Sequence, residues 1–431
     1  MTERRKILLG QLGRRGDCLY ATTVARQIKH DYPECHLTWA ISTVCRSIIE
    51  GNPDVDQIWE IPQNSNENAV DEWNQFVAEA TKRTNSGEFD EIFLTQIPPG
   101  NFQNYDGTSR SSLFRGYPRP ITVPVSPVVR LSETEVNNVR IFIERSKISS
   151  SDSVILFECA STSGQSFVTP EFALATARIA GDNLPDIKFV LASNIRLETK
   201  APNVIDGSSL SFMENAELTK YCTLLVGCSS GISWLATSDW AKPLPKIQLL
   251  NKSTHMYASM MHDAKYFGLP TEQIMEMQDC TPELLADCIV ACLRENFAAA
   301  KSKYHVDVPI NFEFYFRQLS GELLKKHRFL IAVKAIMSAL DRYKYNNDSL
   351  KELYLIINKM LMPYLSFNYD IIDREEWKQI MDVLAANRIM NGKTRNKLIS
   401  FALLTIRSVI GKGSAVARVF LRDLVVNKIS I

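Results

Sequence analysis

The first thirty residues constrain the fold more than any other stretch. Ile7, Leu8 and Leu9 make a short apolar strand, Gly10, Gly13 and Gly16 punctuate the turn after it, and residues 18–31 have the pattern of a helix. A strand that passes through a glycine-rich turn into a helix opens a parallel α/β sheet, and its turn lies at the strand's carboxyl end, where such sheets take ligands. Glycine lets the backbone come close to a bound group there. Asp17 stands at the mouth of the helix, beside Gly13, Arg14, Arg15 and Gly16. The partial positive charge of a helix N-terminus favours an ionised carboxylate. An ionised carboxylate in a cleft is a candidate general base.

The same rhythm continues. Strand patterns at 35–40, 57–61 and 91–95 alternate with helical patterns at 44–50 and 70–84, which predicts parallel strands joined by right-handed crossovers. Residues 98–127 are rich in Pro, Gly, Ser and Arg and read as a long loop carrying Arg110, Arg115 and Arg119. Ser132 and Glu135 have capping-box spacing for a helix that ends near Arg145. A second α/β series begins at 154–158, with further strands at 188–192, 223–226 and 245–249 and helices at 170–180, 213–222, 232–238 and 282–297. From Phe312 only helical spacing remains, over 312–343, 349–361 and 375–389. The expected fold class is therefore α/β: two facing, doubly wound Rossmann-like domains, 1–130 and 131–311, and an all-α extension, 312–431.

Bulk properties exclude several classes. A chain of 431 residues suits two or three cores. A net charge of +1 argues against nucleic acid as a partner. No apolar run approaches the roughly 20 residues of a membrane span, and the charged start lacks the pattern of a signal peptide, so a cytoplasmic location is expected. The nine cysteines show no CxxC spacing, so they read as reduced structural thiols, and no metal site is expected. After Gly392, Lys393, Arg395, Lys397, Arg407, Lys412, Arg418, Arg422 and Lys428 are interleaved with apolar residues and opposed by Asp423. These basic helices read either as a solvated face or as a surface for anionic lipid, at the inner face of a membrane, or for an acidic protein.

A second ligand loop repeats the opening design. Thr223 to Val226 form a strand, Gly227-Cys228-Ser229-Ser230-Gly231 a turn of small residues, and Ile232 onward a helix. The amides of Ser230, Gly231 and Ile232, with the hydroxyls of Ser229 and Ser230, are candidates to hold a diphosphate. Asp17 on one domain and this loop on the other would then line one cleft.

At these residues the chain resembles the heptosyltransferases of glycosyltransferase family 9. That family's N-terminal turn is matched by Leu12-Gly13-Arg14-Arg15-Gly16-Asp17 and Ala21-Thr22-Thr23-Val24, and the match continues at Tyr32-Pro33, Leu37-Thr38-Trp39 and Ile49 to Asp56. Its phosphate loop is matched by Gly227 to Ala236. The resemblance spans about residues 6–300. It implies a GT-B fold and inverting, metal-independent transfer of a sugar from a nucleotide diphosphate, in the building of a bacterial cell-surface glycan. Asp17 would be the catalytic base, and Ser229, Ser230, Gly231 and Ile232 would hold the donor's diphosphate. The nucleotide sugar is a substrate, with no cofactor implied, and the acceptor is a glycan, a lipid-linked glycan or a protein. Arg110, Arg115, Gln165, Glu214 and His255 are candidates for contact with donor or acceptor. Three positions depart from the family: Ser229 replaces an aspartate, Trp234 a histidine, and Gln165 a lysine.

Two other functions compete. Gly10, Gly13 and Gly16 invite a dinucleotide-binding reading, but that fingerprint expects an acid at the end of the second strand, and Thr38-Trp39-Ala40-Ile41-Ser42 has none. The departures at Ser229, Trp234 and Gln165 fit a non-catalytic, transferase-like scaffold that acts through interactions.

Overall fold

The structure is a computed structural model that describes residues 4–62, 69–149, 152–159, 164–199, 201–253, 258–344 and 346–386. It divides into two compact units, residues 1–101 with 108–309, and residues 102–107 with 310–431.

The first unit contains both α/β series. Its first sheet is built from β1 (Lys6–Gly10), β2 (His36–Ser42), β3 (Gln57–Ile61) and β4 (Glu91–Leu94), in the order β3-β2-β1-β4, all parallel. α1 (Arg15–Asp31) links β1 to β2, and α2 (Ala69–Asn85) links β3 to β4. Ile7, Leu8 and Leu9 of β1 are fully buried, as a central parallel strand covered on both faces must be. A short 3-10 turn, Thr43–Ile48, stands where a helix is expected at 44–50. β2 ends at Ser42 without an acid, so the ribose-holding carboxylate of a dinucleotide fold has no counterpart there.

The second sheet has six parallel strands, in the spatial order β10 (Ile274–Gln278), β9 (Lys246–Leu250), β8 (Leu224–Gly227), β5 (Ser153–Glu158), β6 (Ile187–Ala192) and β7 (Val204–Asp206). Between the sheets run α3 (Ser109–Phe114) and α4 (Glu133–Arg145), the latter closed by the expected capping box of Ser132 and Glu135. The remaining elements are α5 (Pro170–Asn183), α6 (Glu214–Leu218), α7 (Gly231–Leu235), α8 (Met260–Tyr266), α9 (Pro282–Arg294) and α10 (Phe297–Tyr304). β7, α8 and β10 lie outside the elements read from sequence, because each is short and the apolar run at β10 is broken by Glu276 and Gln278. The order of connections reverses between β5 and β8. Ligands of doubly wound sheets bind at such a switch point, outside the strands' carboxyl ends.

Each half has apolar clusters of its own, and a further one is shared. One apolar cluster joins Leu19, Val24, Trp39 and Phe93 of the first half to Met213, Ala216, Trp234, Leu235 and Met260 of the second. Polar ties add to it. Asp239, just after α7, accepts from Arg26 Nη2 of α1 and from Arg130 Nη1, both at 3.1 Å, and from the Val129 amide at 2.9 Å. The expected division into 1–130 and 131–311 therefore falls within one unit.

The second unit is helical: α11 (Phe312–Glu322), α12 (Phe329–Arg342), α13 (Asn347–Ile356), α14 (Met362–Phe367) and α15 (Arg374–Ala386). The single pattern over 312–343 is broken at His327, which adopts a left-handed conformation (φ 57°). A π-turn at Ile357–Leu361 precedes Pro363, whose missing N–H interrupts the regular ladder. Residues 102–107 belong to this unit. Tyr105 donates to Gln318 Oε1 at 2.9 Å, the Tyr315 hydroxyl donates to the Tyr105 carbonyl at 2.8 Å, and Ser338 donates to the Gln103 carbonyl at 3.0 Å. Among the described residues no helix is long and apolar enough to cross a membrane. The basic stretch at 393–428 lies outside the described residues.

Candidate active site

The turn after β1 is held by the neighbouring strand's exit. Gln96, just beyond β4, accepts the amides of Leu12 (2.8 Å) and Gly13 (3.0 Å) through Oε1, and Gln11 Nε2 donates to the Gly13 carbonyl at 3.0 Å. Arg14 then enters α1 with φ 65°, a left-handed conformation that costs a non-glycine residue about 1 kcal/mol. Space is open at Gly13 and Gly16, where an added Cβ would meet nothing within 4 Å. Arg14 and Arg15 are exposed, and Asp17, on the first turn of α1, is half-buried.

The Asp17 carboxyl is pushed up to about 6, chiefly by burial. The positive charge of Arg14 and a hydrogen bond from the Ser109 hydroxyl pull it back. The helix N-terminus favours the ionised form, and burial outweighs that field. A midpoint near 6 still leaves roughly nine-tenths of it ionised at neutral pH, in the range suited to a general base.

The second loop differs from expectation in a specific way. Glu158, at the carboxyl end of β5 and 2% exposed, reaches into the switch point. Its Oε2 accepts the Cys228 amide at 2.9 Å and the Ser233 hydroxyl at 2.6 Å, and its Oε1 accepts the Ile232 amide at 3.0 Å. The Ser229 amide donates to Gln248 Oε1 at 2.7 Å, and the Ser229 hydroxyl donates to the Ala258 carbonyl. The Gly231 amide donates to the Ser230 hydroxyl at 2.7 Å. Of the amides expected to face a diphosphate, that of Ile232 is thus bonded to the carboxylate that ends the adjacent strand and that of Gly231 to the Ser230 hydroxyl, while the neighbouring Ser229 amide is taken by Gln248. Ser230 and Gly231 remain partly exposed, whereas Ser229 is buried.

Phe212 brings the turn and the loop together. The Arg15 guanidinium lies 5.3 Å from the centre of the Phe212 ring. A Cβ at Gly231 would stand 2.8 Å from the same ring, so glycine is required there for the ring to pack on the start of α7. Arg15 therefore shares a neighbour with Gly231.

Other predicted residues take structural posts. Arg110 belongs to α3 rather than to a loop and is 3% exposed, paired with Asp263 at 3.4 Å, so it is not a free cation for an anionic acceptor. Arg115, directly after α3, is half-buried. Gln165 is buried and donates to the Ser229 carbonyl at 3.4 Å, supporting the loop from behind. Glu214 is buried, and its oxygens accept from Asn138 Nδ2 (2.9 Å) and the Ser211 amide (2.6 Å). These bonds fix it at the start of α6. His255 lies outside the described residues. Trp234 is packed edge-on against Tyr20 of α1, ring centres 5.1 Å apart.

Ser109, Phe212 and Glu158 were not singled out from sequence. Ser109 was hidden in a stretch read as loop, and Phe212 in an unremarked approach to α6. Glu158 carried a signal, an acid closing an otherwise apolar strand, that marks a buried carboxylate needing partners.

Comparison with protein-family models gives no match, and comparison with curated proteins gives none either. Among solved structures, the chain is similar in fold to a glycosyl transferase family 9 protein from Veillonella parvula, at 14% identity and a TM-score of 0.47, over 75% of this chain and 98% of that one. It is also similar to the ADP-heptose lipopolysaccharide heptosyltransferase II of E. coli, at 14% identity and a TM-score of 0.43, over 68% and 99% of the two chains. A UDP-N-acetylglucosamine 2-epimerase from Neisseria meningitidis, bound to UDP-GlcNAc, aligns at 11% identity and a TM-score of 0.40, over 74% and 100%.

Proposed function

We propose that the chain is an inverting glycosyltransferase that moves a sugar from a nucleotide-diphosphate donor to a hydroxyl of a glycan, a lipid-linked glycan or a protein. The observation that carries this reading is the Asp17 carboxyl at the open turn after β1, between the Ser109 hydroxyl and the Arg14 charge. Asp17 takes the proton of the acceptor hydroxyl. That oxygen attacks the anomeric carbon from the face opposite the donor's diphosphate, and the bond to the diphosphate breaks with inversion. Negative charge grows on the leaving group, and in this reading Arg14, Arg15 and Ser230 stabilise it. No step is routed through a metal.

A screen of ADP-, UDP-, GDP- and CMP-linked sugars by thermal shift tests the donor, and Asp17→Asn tests the base. The variant is expected to keep donor binding and to lose transfer by about 100-fold or more. Loss of binding by a folded Asp17→Asn protein counts against the base assignment.

A second reading, a non-catalytic transferase-like scaffold, is favoured by Glu158, which already holds the Ile232 amide that a diphosphate would use, together with that of Cys228. It predicts no stabilisation by any nucleotide sugar. Contact of the basic C-terminal stretch with anionic lipid or an acidic protein is compatible with either reading, and vesicle co-sedimentation tests the lipid case.

A further inference from the structure

Two neighbouring residues of α3 face different partners. Ser109 gives its hydroxyl to Asp17. Arg110 turns into the interior, where its guanidinium lies 4.9 Å from the ring centre of Trp234, 5.1 Å from that of Tyr20 and 5.4 Å from that of Phe267. It also donates to the Tyr20 hydroxyl. Its ion pair with Asp263 Oδ2, on α8, is long at 3.4 Å, and its Nε has no hydrogen-bond partner. A guanidinium so placed owes its position to the rings as much as to the carboxylate, because its flat face stacks on aromatic surfaces as an ammonium cannot. The cage is assembled from both α/β halves: Tyr20 from α1, Trp234 from α7, and Asp263 and Phe267 in and after α8. α3 is six residues long, so Ser109 and Arg110 move together.

We propose that Arg110 is a positioning residue: caged by Tyr20, Trp234 and Phe267 and tied to Asp263, it seats α3 so that the Ser109 hydroxyl stays on Asp17. The docking of the second half onto the first is thereby communicated to the carboxyl. The other groups that act on Asp17 or feel its charge are Arg14 on the turn, Cys18 and Tyr20 on α1, and Cys45 on the 3-10 turn after β2. None of these is altered in the variants below. The inference rests on the reading of Asp17 as the base for its catalytic meaning. Its test uses no transfer assay, so a failure here and a failure of Asp17→Asn to abolish transfer are distinguishable.

The full-length protein is labelled with carboxyl-¹³C aspartate, and the Asp17 resonance is identified as the one missing in Asp17→Asn. Ser109→Ala is expected to weaken proton release from Asp17 by about three- to tenfold, the loss of one hydrogen bond to a charged group. Arg110→Lys keeps the charge but loses the flat guanidinium, and Asp263→Asn leaves the cage intact. Each is expected to weaken proton release in the same direction, and Ser109→Ala with Arg110→Lys is expected to do no more than Ser109→Ala alone. Should Arg110→Lys not fold, Asp263→Asn carries the test. An unchanged titration in Asp263→Asn and in a folded Arg110→Lys overturns the proposal. So do effects of Ser109→Ala and Arg110→Lys that add in the double variant, or a Ser109→Ala protein that titrates like wild type.

Discussion

The Glu158 carboxylate accepts the Ile232 amide at 3.0 Å, across the switch point of the second sheet. With the Cys228 amide and the Ser233 hydroxyl on its other oxygen, this side chain supplies from within the chain the negative charge that a strand–turn–helix loop of this kind invites. Glu158→Ala leaves two amides and a hydroxyl unpaired in a buried place. It should lower stability by about 2–4 kcal/mol, read from urea unfolding.

With the Ser229, Gly231 and Ile232 amides already bonded within the protein, donor charge falls to the opposite turn. Arg15→Gln should weaken binding of any stabilising nucleotide sugar by about tenfold, and Ser229→Ala should hardly change it, because the Ser229 hydroxyl is spent on the Ala258 carbonyl. Calorimetric titration of both variants checks this. Equal losses in the two would return the diphosphate to the second loop.

Stability should fall as pH rises from about 4 to about 7. Burial raises Asp17 from 3.8 to about 6, and raises Glu276, which caps α8 through Ser259 and the Met261 amide, from 4.5 to about 7. The folded state therefore keeps protons that the unfolded chain has released. The stabilisation this gives is complete below about pH 4 and gone once pH has passed the folded values. Thermal unfolding across this range should show the decline, with Asp17→Asn flattening its lower part and Glu276→Gln its upper part.

Asp239 ties the linking segment and α1 to the second half through three donors. Asp239→Ala should cost about 1–3 kcal/mol and raise amide hydrogen exchange at Val129. The partial exposure of all three side chains keeps the loss modest.

Much of the framework was legible because parallel strands buried on both faces are nearly continuous apolar runs, as at Ile7 to Leu9 and Val154 to Phe157. Caps spoke locally too: Ser132 with Glu135 and Thr281 before Pro282 close the helices their spacing implies. The helix break at His327 was silent, since residues on both sides keep an unbroken apolar period.

The site was legible where chemistry follows from one position, as at Asp17 on its helix. It was not where chemistry depends on a partner far along the chain. Whether an amide of residue 232 is free depends on residue 158, and whether Arg110 is a surface cation depends on residues 20, 234, 263 and 267. Spacing within a motif holds no record of such partners. A structural outcome such as the ionisation of Asp17 likewise reflects how tightly other segments close round it, which outweighed the local field of its helix.

Residues 102–107 belong with helices that begin about 200 residues later. On the ribosome this hexapeptide emerges long before anything it packs upon, so the helical unit can be completed only once the residues beyond 310 have followed it. A fragment cut from the gene at residue 310 lacks part of its own wall, and the piece it is missing stays behind between β4 and α3.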